Sequence, residues 1–535
     1  MARHNSINWS PPESLTLLEE KICKKLMRTG RLYRFLRLHR HQLCSEEFQR
    51  KLAEMYADST RGRPPVPPAL LVMVTLLQAY TQVSDAEAVH HALFDRRWQM
   101  VLDCVDCEEA PFSQGLLAGF RFRLITHDMD RELIRRTVEL AKETGDFGYK
   151  VLRVTLDSAP IWGAGRVEDT FNLIGHGLME CVACAADVWD MTVETLLVDA
   201  ELQIVGKSSV KAALDIDWDD PAAKKEAINR LLADVDRFRS WLAKQSGVES
   251  ILKEPAGEAL KAAIDQLDLL VEQDIEPDPD QKGKHRIIKG TASDRQVSVG
   301  DSEMRHGRKS KSRTINGYKG HIAMELEHGL VLEGLAQPAN KKEAVGADIM
   351  RPNIEHYGSV GELHIDRGFL AAKWVGTLDA AGLPVYSKPW NSKNGGLYPK
   401  SAFTIDTTAK TVTCPASEVA TFPPKCSKSG KRQVRFTGCT NCPLKAQCTT
   451  SERGRTVVLH EAEDFLQRLQ AAKRTPEGRA QLRLRVAVEH GLAHVRVYAP
   501  RKARYLGERK NTFVLRRAGA IVNLQAIDRW AREAA

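Results

Sequence analysis

Three acidic residues lie far apart in the sequence, each in a different local frame, and they constrain the fold more than any other feature. Asp157 closes the apolar run Val151-Leu152-Arg153-Val154-Thr155-Leu156. Asp366 closes Leu363-His364-Ile365 and is followed at once by Arg367-Gly368-Phe369. Glu489 stands in Arg485-Val486-Ala487-Val488-Glu489, on a helical pattern. Two strand-end aspartates and a helix glutamate are what a two-metal phosphodiester-cutting site requires, because ions roughly 3.5–4 Å apart need carboxylates converging from several elements. Open α/β sheets hold such groups just beyond the carboxyl ends of their strands. Each aspartate alone is ambiguous, since strand-end Asp residues commonly make turns.

At 535 residues the chain has material for two to four domains and at least one large core. The net charge of +9 is modest, so its distribution matters more than its size. Eight Lys or Arg fall between Lys21 and Ser45 with no acid among them, six between Asp301 and Gly320, and ten from Arg496 to Arg532. Separate basic clusters suit a polyanion touching several parts of the protein, although solvated helix faces read the same way one at a time. No secretory signal is visible at the N-terminus, and Pro68 to Leu77 is too short an apolar stretch to span a bilayer. Eleven scattered cysteines do not form a disulfide framework, so the expected compartment is the cytoplasm, with no membrane partner.

Residues 1–140 read as an all-α domain for DNA binding or dimerisation, with a capping box at Ser84-Asp85-Ala86-Glu87. From about 150 the pattern is strand, a Gly- and Pro-rich turn after Asp157, and helical material to about 200. Amphipathic helices at 221–246 and 257–273 follow, then a polar linker, Glu276 to Lys284. A hairpin is expected at Gly317 to Glu325 and Gly329 to Ala336, then a helix from Lys342 to His356, the Asp366 strand, a helix from Leu370 to Ala381, and a short strand near Pro384 to Ser387. One large helix opens at Thr475-Pro476-Glu477. That order is a ribonuclease-H-like α/β plan over 150–535, interrupted by a helical insertion at 200–285 and a Cys-rich insertion at 390–474.

At 100° per residue, Arg485, Glu489 and Arg496 share one helix face within about 40°. Leu484, Ala487, Val488, Gly491 and Val495 share the opposite face, which should pack inward. An Arg485–Glu489 surface pair worth about 0.3–0.5 kcal/mol gives the same pattern as a metal-binding Glu flanked by phosphate-binding arginines. In the Cys-rich insertion Cys414, Cys439, Cys442 and Cys448 give C-x24-C-x2-C-x5-C, with Cys426 a spare. In a segment poor in apolar residues this matches tetrahedral zinc, with reduced free thiols as the alternative. The pairs Cys104/Cys107 and Cys181/Cys184 read as core residues.

The stretches Leu156 to Thr170, Gly317-Tyr318-Lys319-Gly320-His321 and His364 to Phe369 resemble insertion-sequence transposases of the Asp-Asp-Glu class. So do the cysteine insertion, Arg504 to Asn511 and Ala520 to Leu524, and the helical N-terminus resembles an InsH-like domain. The resemblance implies that Asp157, Asp366 and Glu489 are the catalytic triad and hold two Mg²⁺ or Mn²⁺ ions. It implies DNA contacts from Arg485, Arg496, Lys319, His321, Arg367, Arg504 and Lys510. Its implied activity is cleavage at terminal inverted repeats and joining of 3′-hydroxyl ends to target DNA, by a homodimer on DNA in a bacterial cytoplasm. Where the family's signature has Tyr before and Lys after its Glu, this chain has Leu482 and Arg496. A transposase-derived DNA-binding protein without catalysis, and a nuclease that cuts without joining, are the alternatives.

Overall fold

Capping and apolar periodicity make the N-terminal region helical. In the computed structural model, which describes residues 8–27, 30–57, 65–144, 148, 151–207, 209–308, 312–390, 392–424 and 431–533, it comprises α1 (Leu17–Lys25), α2 (Arg31–Leu43), α3 (Glu46–Ala53), α4 (Pro68–Thr81), α5 (Asp85–Phe94), α6 (Arg96–Leu102), α7 (Gln114–Thr126) and α8 (Met129–Thr144). The Ser84–Glu87 capping box forms as expected. Helix α4 opens on Pro68, whose missing N–H costs nothing at a first turn, and is buried from Pro68 to Ala79. No helix among the described residues is long and apolar enough to cross a membrane.

A mixed sheet follows. Strand β1 (Val151–Trp162) leads into six helices: α9 (Thr170–Val188), α10 (Val193–Asp199), α11 (Val210–Leu214), α12 (Pro221–Ala243), α13 (Val248–Ile251) and α14 (Glu258–Asp274). They enclose a core of their own around Leu178, Ile228, Phe238 and Leu267. The helical insertion therefore starts at Thr170, thirty residues before the expected boundary, because the apolar face of α9 packs on α14 rather than on the sheet. The expected polar linker is also folded. Strands β2 (Ile275–Pro277) and β3 (His285–Ile287) pair, Asp278 meets Lys225, and the Asn229 side chain bonds both backbone groups of His285.

The remaining sheet strands are β4 (Arg305–Arg308), β5 (Thr314–Glu325), β6 (Val331–Pro338), β7 (Ser359–Ile365) and β8 (Val385–Tyr386). Across the sheet, β4 and β6 share the outer edge of β5, β5 runs antiparallel to β1, and β7 and β8 continue parallel to β1. Helices α15 (Glu343–Glu355) and α16 (Lys373–Ala380) connect the last three. The Cys-rich insertion holds β9 (Thr404–Asp406), β10 (Thr411–Thr413), β11 (Val419–Thr421), β12 (Arg432–Arg435), α17 (Lys445–Cys448) and β13 (Thr456–Leu459). Then come α18 (Glu463–Ala472), α19 (Pro476–Leu484), α20 (Val486–Tyr498) and α21 (Glu508–Glu533). The single large helix expected from Thr475 is thus two, divided at Arg485, which keeps helical dihedrals (φ −58°, ψ −21°) while its N–H turns to the Arg483 carbonyl.

Helix α21 is buried over most of its length and joins the helical region to the sheet in one core. Its buried Asn523 bonds both the N–H and the C=O of Val331, while Thr512 takes the N–H of Ala336. These side chains cover the open edge of β6, which would otherwise present unpaired backbone groups. Arg516 reaches Glu333 of β6 at 2.7 Å, and Asp128, just before α8, and Asp130, in its first turn, at 2.8 and 3.2 Å. Arg516, Glu333 and Asp130 are nearly fully enclosed; Asp130 also pairs with Arg509, so removing Arg516 strands the buried Glu333. Replacing Arg516 by Ala should cost on the order of 3–5 kcal/mol in urea unfolding, and a loss below about 1 kcal/mol would count against the tie.

At the start of α21, burial and the neighbouring Glu303 push the Glu508 carboxyl up to about 7. A carboxyl whose folded value lies above its unfolded 4.5 keeps its proton longer in the native state, so its contribution to stability falls as pH rises from about 4.5 to about 7. Glu508→Gln should therefore raise Tm at pH 8 and leave it nearly unchanged at pH 4.5; equal Tm values at pH 8 would contradict this.

Candidate active site

The parallel pairing of β1 with β7 stops at Leu156 and Ile365, while β1 continues against β5 as far as Trp162. Asp157 therefore lies inside β1 rather than at its end, and the expected turn begins only after Trp162. The hydrophobic run ends at Asp157 because the neighbour on that side ends there, and the next residues of the two strands, Asp157 and Asp366, flank the gap. Pro160, which lacks an N–H, sits on the unpaired stretch, where a strand tolerates it. The gap closes further along, where Trp162 N–H donates to the Arg501 carbonyl at 2.8 Å and Ala503 N–H to the Trp162 carbonyl at 2.7 Å.

The result is an open cleft of about 1260 Å³ whose floor is Asp157 to Pro160. Its walls come from Asp366 to Gly368, the start of α15, and the Glu489–Arg496 face of α20. Helix α20 is set by Val488, Gly491, Leu492 and Val495, which are buried. Gly491 lies against Met324 of β5 so closely that a Cβ would collide with its sulfur. Leu484 and Ala487, expected to face inward, are exposed, because the break at Arg485 separates α19 from the packed face of α20.

Asp157, Asp366 and Glu489 all line this cleft. Burial pushes the Asp157 carboxyl up, the Ser158 amide (2.8 Å) and Arg485 hold it down, and Asp366 and Glu489 raise it again. Asp157 thus feels both of the other acids. Arg485 bridges two of them, at 3.8 Å from Asp157 and 2.8 Å from Glu489. Arg496 is buried enough to depress its guanidinium, further lowered by Arg501 and favoured by Asp157. Lys319 is likewise lowered by burial, with Glu343 opposing, and its Nζ donates to the Lys341 carbonyl at 2.7 Å. Arg367 lines the rim.

Sequence reasoning missed Arg308, Lys342, Glu343, Trp390 and Arg501, which also line the cleft. Lys342-Glu343 at the turn between β6 and α15 was the available signal, read instead as an ordinary helix start. Counting the lining gives seven cations and four acids. Three expected DNA contacts lie elsewhere. Arg504 and Lys510 are exposed but outside the cleft. His321 offers no surface at all: it is fully buried on the face of β5 that α15 covers, where Gly346 abuts the imidazole and Phe369 meets it edge-on at 5.7 Å. Burial, with Lys319 adding to it, holds His321 neutral, down to about 3.

In the insertion, Cys414, Cys439, Cys442 and Cys448 surround one cavity of about 20 Å³, large enough for a single ion or water. The N–H of Glu418 donates to Cys414 Sγ at 3.3 Å and that of Arg455 to Cys439 Sγ at 3.4 Å. Cys426 lies outside the described residues. Among the described residues, Glu325, Glu327 and His328 have ligand atoms within 4.8 Å of one another. There Glu325 accepts the N–H groups of Glu327 and His328 and so closes the β5–β6 turn.

The cleft therefore gathers four carboxylates among seven cationic side chains. A family model described as a transposase DDE domain matches residues 413–527, and one described as a transposase domain (DUF772) matches residues 23–123. No curated protein and no solved structure matches the chain. The two domain matches, one towards each end, support an insertion-sequence DDE transposase.

Proposed function

We propose that the protein is a DNA transposase that binds the terminal inverted repeats of its element, cuts there and joins the 3′-hydroxyl ends to target DNA. One observation carries this: Asp157, Asp366 and Glu489, from within β1, just past the end of β7 and on a distant helix, line one cationic cleft. The strand arrangement supports it. Leaving aside β4, the order of β1, β5, β6, β7 and β8 across the sheet is third, second, first, fourth, fifth, with the second antiparallel, the order a ribonuclease-H-like reading expects.

The three carboxylates would hold two Mg²⁺ or Mn²⁺ ions, for which all-oxygen donors are suited. Bound there, the ions would supply an activated oxygen nucleophile and charge stabilisation for the leaving oxygen. The chain's own part is electrostatic and geometric. Arg496, Arg501 and Lys319 place positive charge where a scissile phosphate would lie, and Arg485 acts as counter-ion to Asp157 and Glu489 until a stronger cation takes that role. Two ends must be held together, so the active form on DNA is a homodimer. A residues 1–140 domain for end binding and a catalytic domain over 150–535 complete the reading.

Incubation with labelled element ends, target DNA and Mg²⁺ separates this reading from its rivals: joined product supports it, cut ends alone indicate a nuclease, and bound but intact DNA a regulator. Asp366→Asn should lower cleavage by more than about 100-fold, beyond what loss of an outer-shell partner costs a metal site, with end binding retained. Cleavage within threefold of wild type would overturn the triad.

The four-thiol cavity of the insertion is a structural zinc site in the same reading. Its support is the shared cavity, the two N–H···S contacts and a small apolar core of seven buried residues around Phe403 and Phe436. Such a core gains much of its stability from a metal. Metal analysis of purified protein should find about one zinc per chain, and less than about half an equivalent would reject the site.

A further inference from the structure

Glu343 is the first residue of α15, where an acid ordinarily serves the helix N-terminus. Its carboxylate does something else. Oε1 accepts the Ser158 hydroxyl at 2.5 Å. Ser158 in turn uses its backbone N–H to hold Asp157 Oδ1 at 2.8 Å. Ser158 is therefore gripped twice, by its hydroxyl from α15 and by its amide from the acid beside it. On the other side, Glu343 Oε2 occupies the space a Cβ on Gly368 would need, and Gly368 lies two residues after Asp366. One carboxylate thus touches the chain directly behind both strand-borne acids of the cleft.

We propose that Glu343 is a positioning residue which, through Ser158 and the Cβ-free surface of Gly368, fixes the separation of Asp157 and Asp366 for divalent-cation binding. The inference rests on the metal-site reading above. It also gives the Asp366-Arg367-Gly368 sequence a physical reason: Gly368 has no left-handed backbone requirement, and its lack of a side chain makes room for the Glu343 carboxylate.

The consequence is a coupling between two residues that are 25 positions apart. Adding a methyl at Gly368 meets the far end of a flexible side chain, so Glu343 moves while the backbone stays. Gly368→Ala and Glu343→Ala should therefore damage the same interaction, and the double variant should be no worse than either alone. Glu343→Gln keeps an oxygen that accepts from Ser158 and removes the charge.

Mn²⁺ titration of the full-length protein by calorimetry tests this without relying on cleavage. Glu343→Ala and Gly368→Ala should each weaken Mn²⁺ binding by about 10-fold or more, with non-additive combination, while Glu343→Gln stays within about threefold of wild type. Thermal melts near the wild-type Tm show that each variant is folded. If Glu343→Gln is as poor as Glu343→Ala, the group is a metal ligand rather than a positioning residue, and the proposal fails. If Glu343→Ala binds as wild type does, or Gly368→Ala adds its own loss to that of Glu343→Ala, it fails while the metal-site reading stands. Absence of Mn²⁺ binding in the wild type overturns both.

Discussion

The burial of α21 is the constraint on which the rest depends. A helix at the C-terminal end of the chain runs through the middle of the protein, carrying Phe513, Leu515, Ile521 and Leu524 into the same core as α4, α8 and the sheet. It caps the exposed edge of β6 with Asn523 and Thr512 and places Arg516 among the acids of β6 and of the α7–α8 corner. Buried ionic groups of this kind add little net stability over an apolar core, because their desolvation offsets their attraction. Their effect is to disfavour other arrangements: a shifted α21 leaves Glu333 and Asp130 without a cation.

That placement carries over to the cleft. Helix α20 packs on α21, on β1 and on β5, so the position of Glu489 relative to Asp157 follows from how deeply α20 can settle. Gly491 against Met324 sets that depth, as a side chain there would push the helix away from β5. An acid on a helix and two on strands can then face one another although more than a hundred residues separate each from the next. Burial pushes the Asp157 carboxyl up, and the nearby Asp366 and Glu489 add to that push. Arg485 relieves some of it, and a divalent ion would relieve more, since its charge is doubled and it can accept several oxygens at once.

Most of the sheet was legible from residue patterns alone. The apolar runs ending at Asp157 and Asp366, the β5–β6 turn at His328-Gly329 and the Pro476 helix start each follow from local rules that hold whatever the surroundings. What was not legible depends on neighbours. Strand β1 runs past Asp157 because β5 is long enough to pair with it, which its own sequence cannot reveal. His321 in Tyr318-Lys319-Gly320-His321 reads as a polar group available to DNA, yet it lies under α15 against Gly346, while Lys319, two residues earlier on the same face of β5, reaches the cleft. The start of the helical insertion at Thr170 likewise depends on which surface α9 meets, sheet or helix.

Glu343 shows why a fourth acid escapes a reading of this kind. In sequence it follows Lys342 at a helix start, and the macrodipole accounts for it fully. Only the meeting of three chain segments gives it another task. The residues it touches are not acids: Ser158 and Gly368 are the small residues that follow the strand-borne aspartates, and their size is what the carboxylate requires. Small residues beside a charged one thus mark where a side chain from elsewhere must fit. The same logic applies to Gly491 on the opposite wall, where the absent side chain admits Met324. On both walls of the cleft, the distance between acids is set by where the chain has no Cβ.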